Sequence, residues 1–99
     1  MANYNYVIAE FIGTFFFVTV ILNSLKRNSE LTPLYIGIGL IAAIILAGPV
    51  SGGHLNPVVS IVTFINKSID QNKLIIYIIA QCAGAIGAKL YFDYMNKNN

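Results

Sequence analysis

The residues best suited to handle a solute are Asn56 and Pro57. Proline at the first position of a helix gives up no donor the helix needs, and asparagine before it is a good N-cap, so the pair reads as a helix start. The orphan N–H groups there carry partial positive charge. Aimed into a cavity at mid-membrane, they would offer donors to water or an alcohol and repel a cation or proton. Taken alone, Asn56 reads more simply as a cap. Glu10 and Gln81 each sit inside an apolar run, where a polar group is costly in lipid and is expected to face protein. Neither has a paired acid or base nearby in sequence, so hydrogen bonding to loop backbone is expected rather than proton relay. His54, beside the Asn-Pro pair, reads as a pore-facing donor or a metal ligand. With a single His and a single Cys in the chain, no metal is expected. No Ser/His/acid spacing, phosphate-cradling Gly loop or carboxylate pair is present, so neither enzyme chemistry nor a cofactor is expected.

Composition says what must position these groups. At 99 residues, 57% hydrophobic and 10% charged, the chain is too apolar for a soluble domain of its size. The charges gather around Glu10, Lys26 to Glu30, Lys67 to Lys73 and Lys89 to Lys97, with long uncharged stretches between. A net charge of +2 without a basic stripe gives no reason to expect nucleic acid. Lone Cys82, among Ala80, Gln81, Ala83 and Gly84, reads as a small packed helical residue.

A first span is expected over about 6–25, since about twenty residues at 1.5 Å each cross a ~30 Å hydrocarbon core. A cleavable signal peptide fits less well, because Met1 to Tyr6 has no Lys or Arg and Glu10 follows. Residues 31–66 carry no charge and are too long for one crossing. The Gly- and Pro-dense run Ala47-Gly48-Pro49-Val50-Ser51-Gly52-Gly53-His54-Leu55-Asn56-Pro57 must divide them, ending one helix and starting another. This predicts a second span over about 34–48. The apolar run 57–65 makes only about 13 Å of helix, too short to cross. With the breaker before it, a re-entrant loop and half-helix over about 49–65 is one reading, and an amphipathic helix lying in the interface is the other. A third span is expected over about 74–92, with Lys89 snorkelling at its end. Ala80, Gly84 and Ala88 recur every four residues, as do Ala83 and Gly87, and Gly39, Ala43 and Ala47. Such stripes let helix backbones approach, so the second and third spans are expected to pack closely against partners. The residues alone give an all-α membrane protein of three transmembrane helices plus one short helix, re-entrant or interfacial, and the re-entrant half-helix is what the resemblance below implies.

Three segments carry a resemblance. Ser51-Gly52-Gly53-His54-Leu55-Asn56-Pro57-Val58-Val59 closely resembles the SGxHxNPAV signature of the aquaporin and aquaglyceroporin (major intrinsic protein) family. Ala9-Glu10-Phe11-Ile12-Gly13-Thr14-Phe15 is similar to its first-helix AEFxGTF, and Tyr77-Ile78-Ile79-Ala80-Gln81-Cys82-Ala83-Gly84-Ala85 to its third-helix YxxAQxxGA. The resemblance covers nearly the whole chain and implies a single half domain over 1–99. Family members have six spans and two half-helices as inverted repeats, whose Asn-Pro-Ala turns meet at mid-membrane. By resemblance, Asn56 donates from its amide to water in the pore, Pro57 starts the half-helix, Glu10 and Gln81 brace the loop, and His54 sits on it. Two departures stand out. Val58 replaces the usual Ala, adding bulk where half-helices meet, and the family's filter Arg has no counterpart, the next residue being Val59. Ile36, just before Gly37, sits where the family often places an aromatic filter residue. The implied constriction is apolar, with weak discrimination between water and small neutral solutes such as glycerol.

The resemblance therefore implies a multi-pass subunit of a passive channel for water or glycerol, embedded in a lipid bilayer and completed by a second half. In the family orientation Lys26, Arg27, Lys89 and Lys97 lie outside and Lys67 and Lys73 inside, opposite to the positive-inside expectation. A chain inserting both ways would form an antiparallel homodimer, and a partner chain is the other way to supply a second half. The expectation of a different class is a truncated, non-conducting remnant or a modulator of a full-length aquaporin.

Overall fold

The computed structural model describes residues 3–98. They form four helices: α1 (Asn5–Arg27), α2 (Thr32–Ser51), α3 (Pro57–Ile65) and α4 (Gln71–Asn96). Helices α1, α2 and α4 are long and apolar enough to cross a membrane. The nine residues of α3 reach about 13 Å, under half the thickness of a hydrocarbon core.

Helix α1 stops at Asn28, whose left-handed backbone (φ 50°) turns its N–H onto the Ser24 carbonyl, with Lys26 and Arg27 in the last turn. Asparagine tolerates that conformation, and the cations complement the carbonyl end of the helix. Helix α2 differs from expectation at its end. It runs through Pro49 to Ser51 and closes at Gly52 (φ 87°), whose N–H meets the Gly48 carbonyl. Proline removes one helical hydrogen bond but does not by itself reverse the chain. The reversal comes where glycine takes a positive φ. Helix α4 starts at Gln71, three residues before the expected span, because the Asp70 carboxylate caps the Lys73 N–H at 2.8 Å. It also runs past residue 92, where Lys89 and Asp93 pair at 2.7 Å and exposed Tyr91 and Tyr94 suit the interfacial layer.

Helix α1 is central, packing along both α2 and α4, while α4 reaches the end of α2 through the Tyr77 hydroxyl on the Ser51 carbonyl and α3 packs on α4. Small residues set these approaches. A Cβ on Gly39 would lie 2.5 Å from Val20 Cγ1, and one on Gly84 would lie 2.6 Å from the Phe11 carbonyl oxygen. Ala43, Ala80 and Ala88 are buried along the same contacts. The pairs Gly13 with Ala47 and Val20 with Gly39 make α2 antiparallel to α1. Tyr6 with Tyr77 and Lys26 with Asn96 make α4 parallel to it. The Ala83 and Gly87 stripe behaves differently, with Ala83 exposed and Gly87 near the Phe15 ring. Cys82 is exposed, which corrects its reading as a packed residue. The face of α4 turned to α1 carries Tyr77, Ala80, Gln81, Gly84 and Ala88, and positions 82 and 83 fall outside it.

A buried carboxylate holding a re-entrant loop

Between α2 and α3 the chain bends through Gly52 (φ 87°), Gly53 (φ 62°) and Leu55 (φ 60°). For leucine the left-handed region costs about 1–2 kcal/mol, so the loop needs support from elsewhere. Glu10 on α1 supplies it. Its side chain is fully buried, and four donors converge on its carboxylate. Oε2 accepts from Ser51 Oγ at 2.5 Å and from the His54 N–H at 3.0 Å. Oε1 accepts from the Leu55 N–H at 2.8 Å and from Gln81 Nε2 at 3.0 Å. Hydrogen bonds to a charged group contribute about 1.5–3 kcal/mol each, enough to offset the leucine backbone. The Leu55 side chain is buried with Ala43 and Ala47 and lies over Gly13, where a Cβ would come within 2.7 Å of Leu55 Cδ2.

A second set of bonds ties α3 and α4 to the same loop. Ser60 Oγ accepts from Gln81 Nε2 at 2.8 Å and lies 2.8 Å from His54 Nδ1. The Tyr77 hydroxyl donates to the Ser51 carbonyl at 2.6 Å, and its ring stacks on His54 at 4.4 Å. Gln81 directs both contacts through Nε2, which leaves its buried Oε1 without a partner among the described residues. Glu10, His54 and Gln81, expected together on the loop, thus lie in one hydrogen-bonded cluster. Ser51, Leu55, Ser60 and Tyr77 belong to it as well and were not anticipated. Tyr77 lies one helical turn before Gln81 and so shares its face, a signal available in the sequence. Ser60 was legible only as the lone polar residue between Val58 and Val62.

Asn56 heads α3 in extended conformation (φ −156°), and its Oδ1 accepts from the Val58 N–H at 2.9 Å. That bond fixes the amide plane and turns Nδ2 away from the helix, with no hydrogen-bond partner among the described residues. Pro57 is the first helical residue. Val58 and Val59 are 65% and 43% exposed, so α3 shows an apolar flank beside the Asn56 amide. No backbone N–H of the described residues reaches the carbonyl oxygens of Gly52, Gly53, His54 or Leu55, which leaves these four acceptors without a backbone donor. Ile36 lies half-buried on α2, and since α2 and α3 do not touch, it stands apart from Val59. Among the described residues no cluster of His, Cys, Asp or Glu could hold a metal ion.

Comparison with known proteins shows the family of the chain. The chain matches the major intrinsic protein family over residues 1–99. It is 37% identical over 98 residues to Aquaglyceroporin-2 of Rhizophagus irregularis, covering 88% of this chain and 31% of that protein. It is 39% identical over 90 residues to the propanediol uptake facilitator of Salmonella typhimurium, covering 83% and 34%. To Glycerol uptake facilitator protein-like 6 of Lactiplantibacillus plantarum it is 39% identical over 84 residues, covering 82% and 39%. The chain therefore spans about a third of the length of these relatives, 31 to 39%. No solved structure matches it significantly. The family match over 1–99, together with three apolar helices long enough to span a bilayer, makes this chain an integral, multi-pass membrane protein of the major intrinsic protein family.

Proposed function

We propose that the chain forms half the wall of a channel that passes water and small neutral solutes such as glycerol passively across a membrane. The observation that carries this reading is Asn56, its Oδ1 bonded to the Val58 N–H and its Nδ2 left as a donor at the head of a helix too short to cross. A hydroxyl or water accepts from Nδ2 and donates in turn to the carbonyls of Gly52 to Leu55. The partial positive charge at the start of α3 disfavours a proton or cation at the same point. Glu10, His54 and Gln81 serve as braces for this loop. Gly39, Ala43, Ala80, Gly84 and Ala88 act by keeping α2 and α4 close to α1. Val58 and Val59 make the wall beside the Asn56 amide apolar, and Ile36 adds an apolar side chain at a separate level on α2, which favours solutes with carbon frames beside water. The names of the relatives, uptake facilitators for glycerol and propanediol, agree with that class.

The pore is completed by a second half. Helix α3 leaves Val58, Val62 and Ile65 at 65%, 53% and 68% exposure, and it spans less than half the membrane. An inverted copy of the chain or a partner chain supplies the facing wall. Lys26, Arg27 and Lys97 lie at one end of the parallel pair α1 and α4, with Lys89 two turns short of it, while Lys67 and Lys73 lie at the other. This split does not enforce the family orientation.

The test is osmotic shrinkage of proteoliposomes holding only the 99-residue chain, in water-driven and glycerol-driven gradients, against empty vesicles and an Asn56→Leu, Pro57→Ala variant. Rates above empty vesicles for both solutes, abolished in the variant, are the expected result. Rates equal to empty vesicles with the protein inserted and helical would rule out a pore made by inverted copies and leave a partner chain or a non-conducting role. Strict water selectivity would contradict the apolar constriction.

A further inference from the structure

We infer that the polar cavity where α1 and α4 begin is a binding site for a phosphate group. The cavity, of about 450 Å³, is lined by Asn3, Asn5, Tyr6, Lys73 and Tyr77, with Pro49 and Val50 of α2 closing one side. Because α1 and α4 run parallel, Asn3 to Tyr6 and Lys73 come from the first turns of two helices that start at the same face of the membrane. The cavity therefore opens at the depth of lipid headgroups. Its chemistry is rich in donors. Lys73 Nζ sits 5.1 Å from the centre of the Tyr6 ring, and among the described residues no carboxylate lies within salt-bridge distance of it. Asp70, the nearest acid in sequence, caps the Lys73 backbone N–H through Oδ1 at 2.8 Å and keeps its negative charge within reach of Tyr6, so Lys73 and the neutral donors together must outweigh it. Asn3 commits its Oδ1 to the Asn5 N–H at 2.9 Å, so its side chain presents Nδ2. The Asn5 side-chain amide and the Tyr6 hydroxyl have no hydrogen-bond partner among the described residues. One cation, two amides and a phenol around one cavity suit a tetrahedral oxyanion whose several oxygens accept at once. A lipid headgroup and a phosphate-bearing solute offer the same group. Tyr6 stacks on Tyr77 at 5.3 Å, and Tyr77 stacks on His54, so a bound phosphate would lie one aromatic pair away from the re-entrant loop.

The experiment is a titration of the full ¹⁵N-labelled chain in maltoside micelles, which contain no phosphate, with inorganic phosphate and, separately, with dihexanoyl phosphatidylglycerol. The readout is the nuclear magnetic resonance shifts of the Asn3 and Asn5 side-chain amides. Saturable shifts are expected, weakened about tenfold or more by Lys73→Met, which removes one charge-assisted bond, and unchanged by Lys67→Met. Saturation with the lipid alone identifies a headgroup site, and saturation with both probes shows that phosphate itself suffices. Absence of saturable shifts with either probe, or equal affinity in Lys73→Met, overturns the inference. Lys73 is exposed, and unchanged His54 and Leu55 amide shifts in the variant report an intact fold. Binding is read without conduction, so this result and the channel measurement stand or fall separately.

Discussion

Glu10→Gln is the substitution that asks most of the loop, because it keeps the shape of the side chain and changes only what two atoms can do. The carboxylate accepts from Ser51 Oγ, the N–H groups of His54 and Leu55, and Gln81 Nε2. In the amide, one oxygen becomes an NH₂. Placed at Oε1, that group meets two donors, Leu55 N–H and Gln81 Nε2. Placed at Oε2, it meets the His54 N–H and Ser51 Oγ, and the serine can accept while donating to the Ala47 carbonyl 3.1 Å away. The second arrangement is cheaper and leaves one buried backbone donor, the His54 N–H, without an acceptor. An orphaned buried donor costs about 1–3 kcal/mol, and the remaining bonds lose their charge assistance, so about 2 kcal/mol is the expected minimum. Hydrogen exchange at the His54 and Leu55 amides in bilayers is the assay, since both are protected through Glu10. A loss of about 2 kcal/mol lowers protection about thirtyfold. Protection of both amides unchanged within about threefold, where about 0.6 kcal/mol would suffice to exceed it, would refute the claim that the carboxylate holds the loop.

Two glycines should respond in opposite directions to the same methyl group. Gly84→Ala places a Cβ 2.6 Å from the Phe11 carbonyl oxygen, forces α1 and α4 apart and should destabilise by about 1–3 kcal/mol. Gly37→Ala meets nothing within 4 Å and should stabilise by about 0.5–1 kcal/mol through helix propensity. Denaturant titrations in micelles read both. Tyr77→Phe keeps the ring stacked on His54 and removes the 2.6 Å bond to the Ser51 carbonyl, so a loss of about 1 kcal/mol is expected, with exchange near Ser51 as the local readout. Asp93→Asn breaks an exposed pair with Lys89 and should change stability by less than about 0.5 kcal/mol in the same titrations.

The spans were legible because charge is excluded from the apolar layer, and uncharged stretches show that exclusion directly. Their ends were less legible. Pro49 reads locally as a helix stop, yet α2 ends two residues later, where Gly52 adopts a positive φ. The close contacts at Gly39 and Gly84 follow from stripes of small residues, but the Ala83 and Gly87 stripe has the same period and leaves Ala83 exposed. Period alone does not say which face of a helix has a neighbour. The resemblance named Glu10, His54 and Gln81 as braces without the distances that make them one cluster.

Leu55 marks the limit of local reading. Nothing in its neighbourhood favours a positive φ for leucine, and it follows two glycines, Gly52 and Gly53, that already turn the chain at positive φ. The conformation is held by a hydrogen bond from Leu55 to Glu10, 45 positions away, and by a side chain seated against Gly13 and Ala47. Moving the positive φ to a glycine at position 55 would relieve the backbone and empty that seat. A leucine there couples the path of the loop to the packing of α1 on α2, so whatever separates those two helices also displaces the Asn56 amide. Conduction through the loop and stability of the helix pair should therefore be lost together in Gly13→Leu, even though Gly13 touches neither Asn56 nor the carbonyls of the loop. Proteoliposome shrinkage and denaturant titration on that one variant test the coupling, and loss of stability with undiminished solute flux would break it.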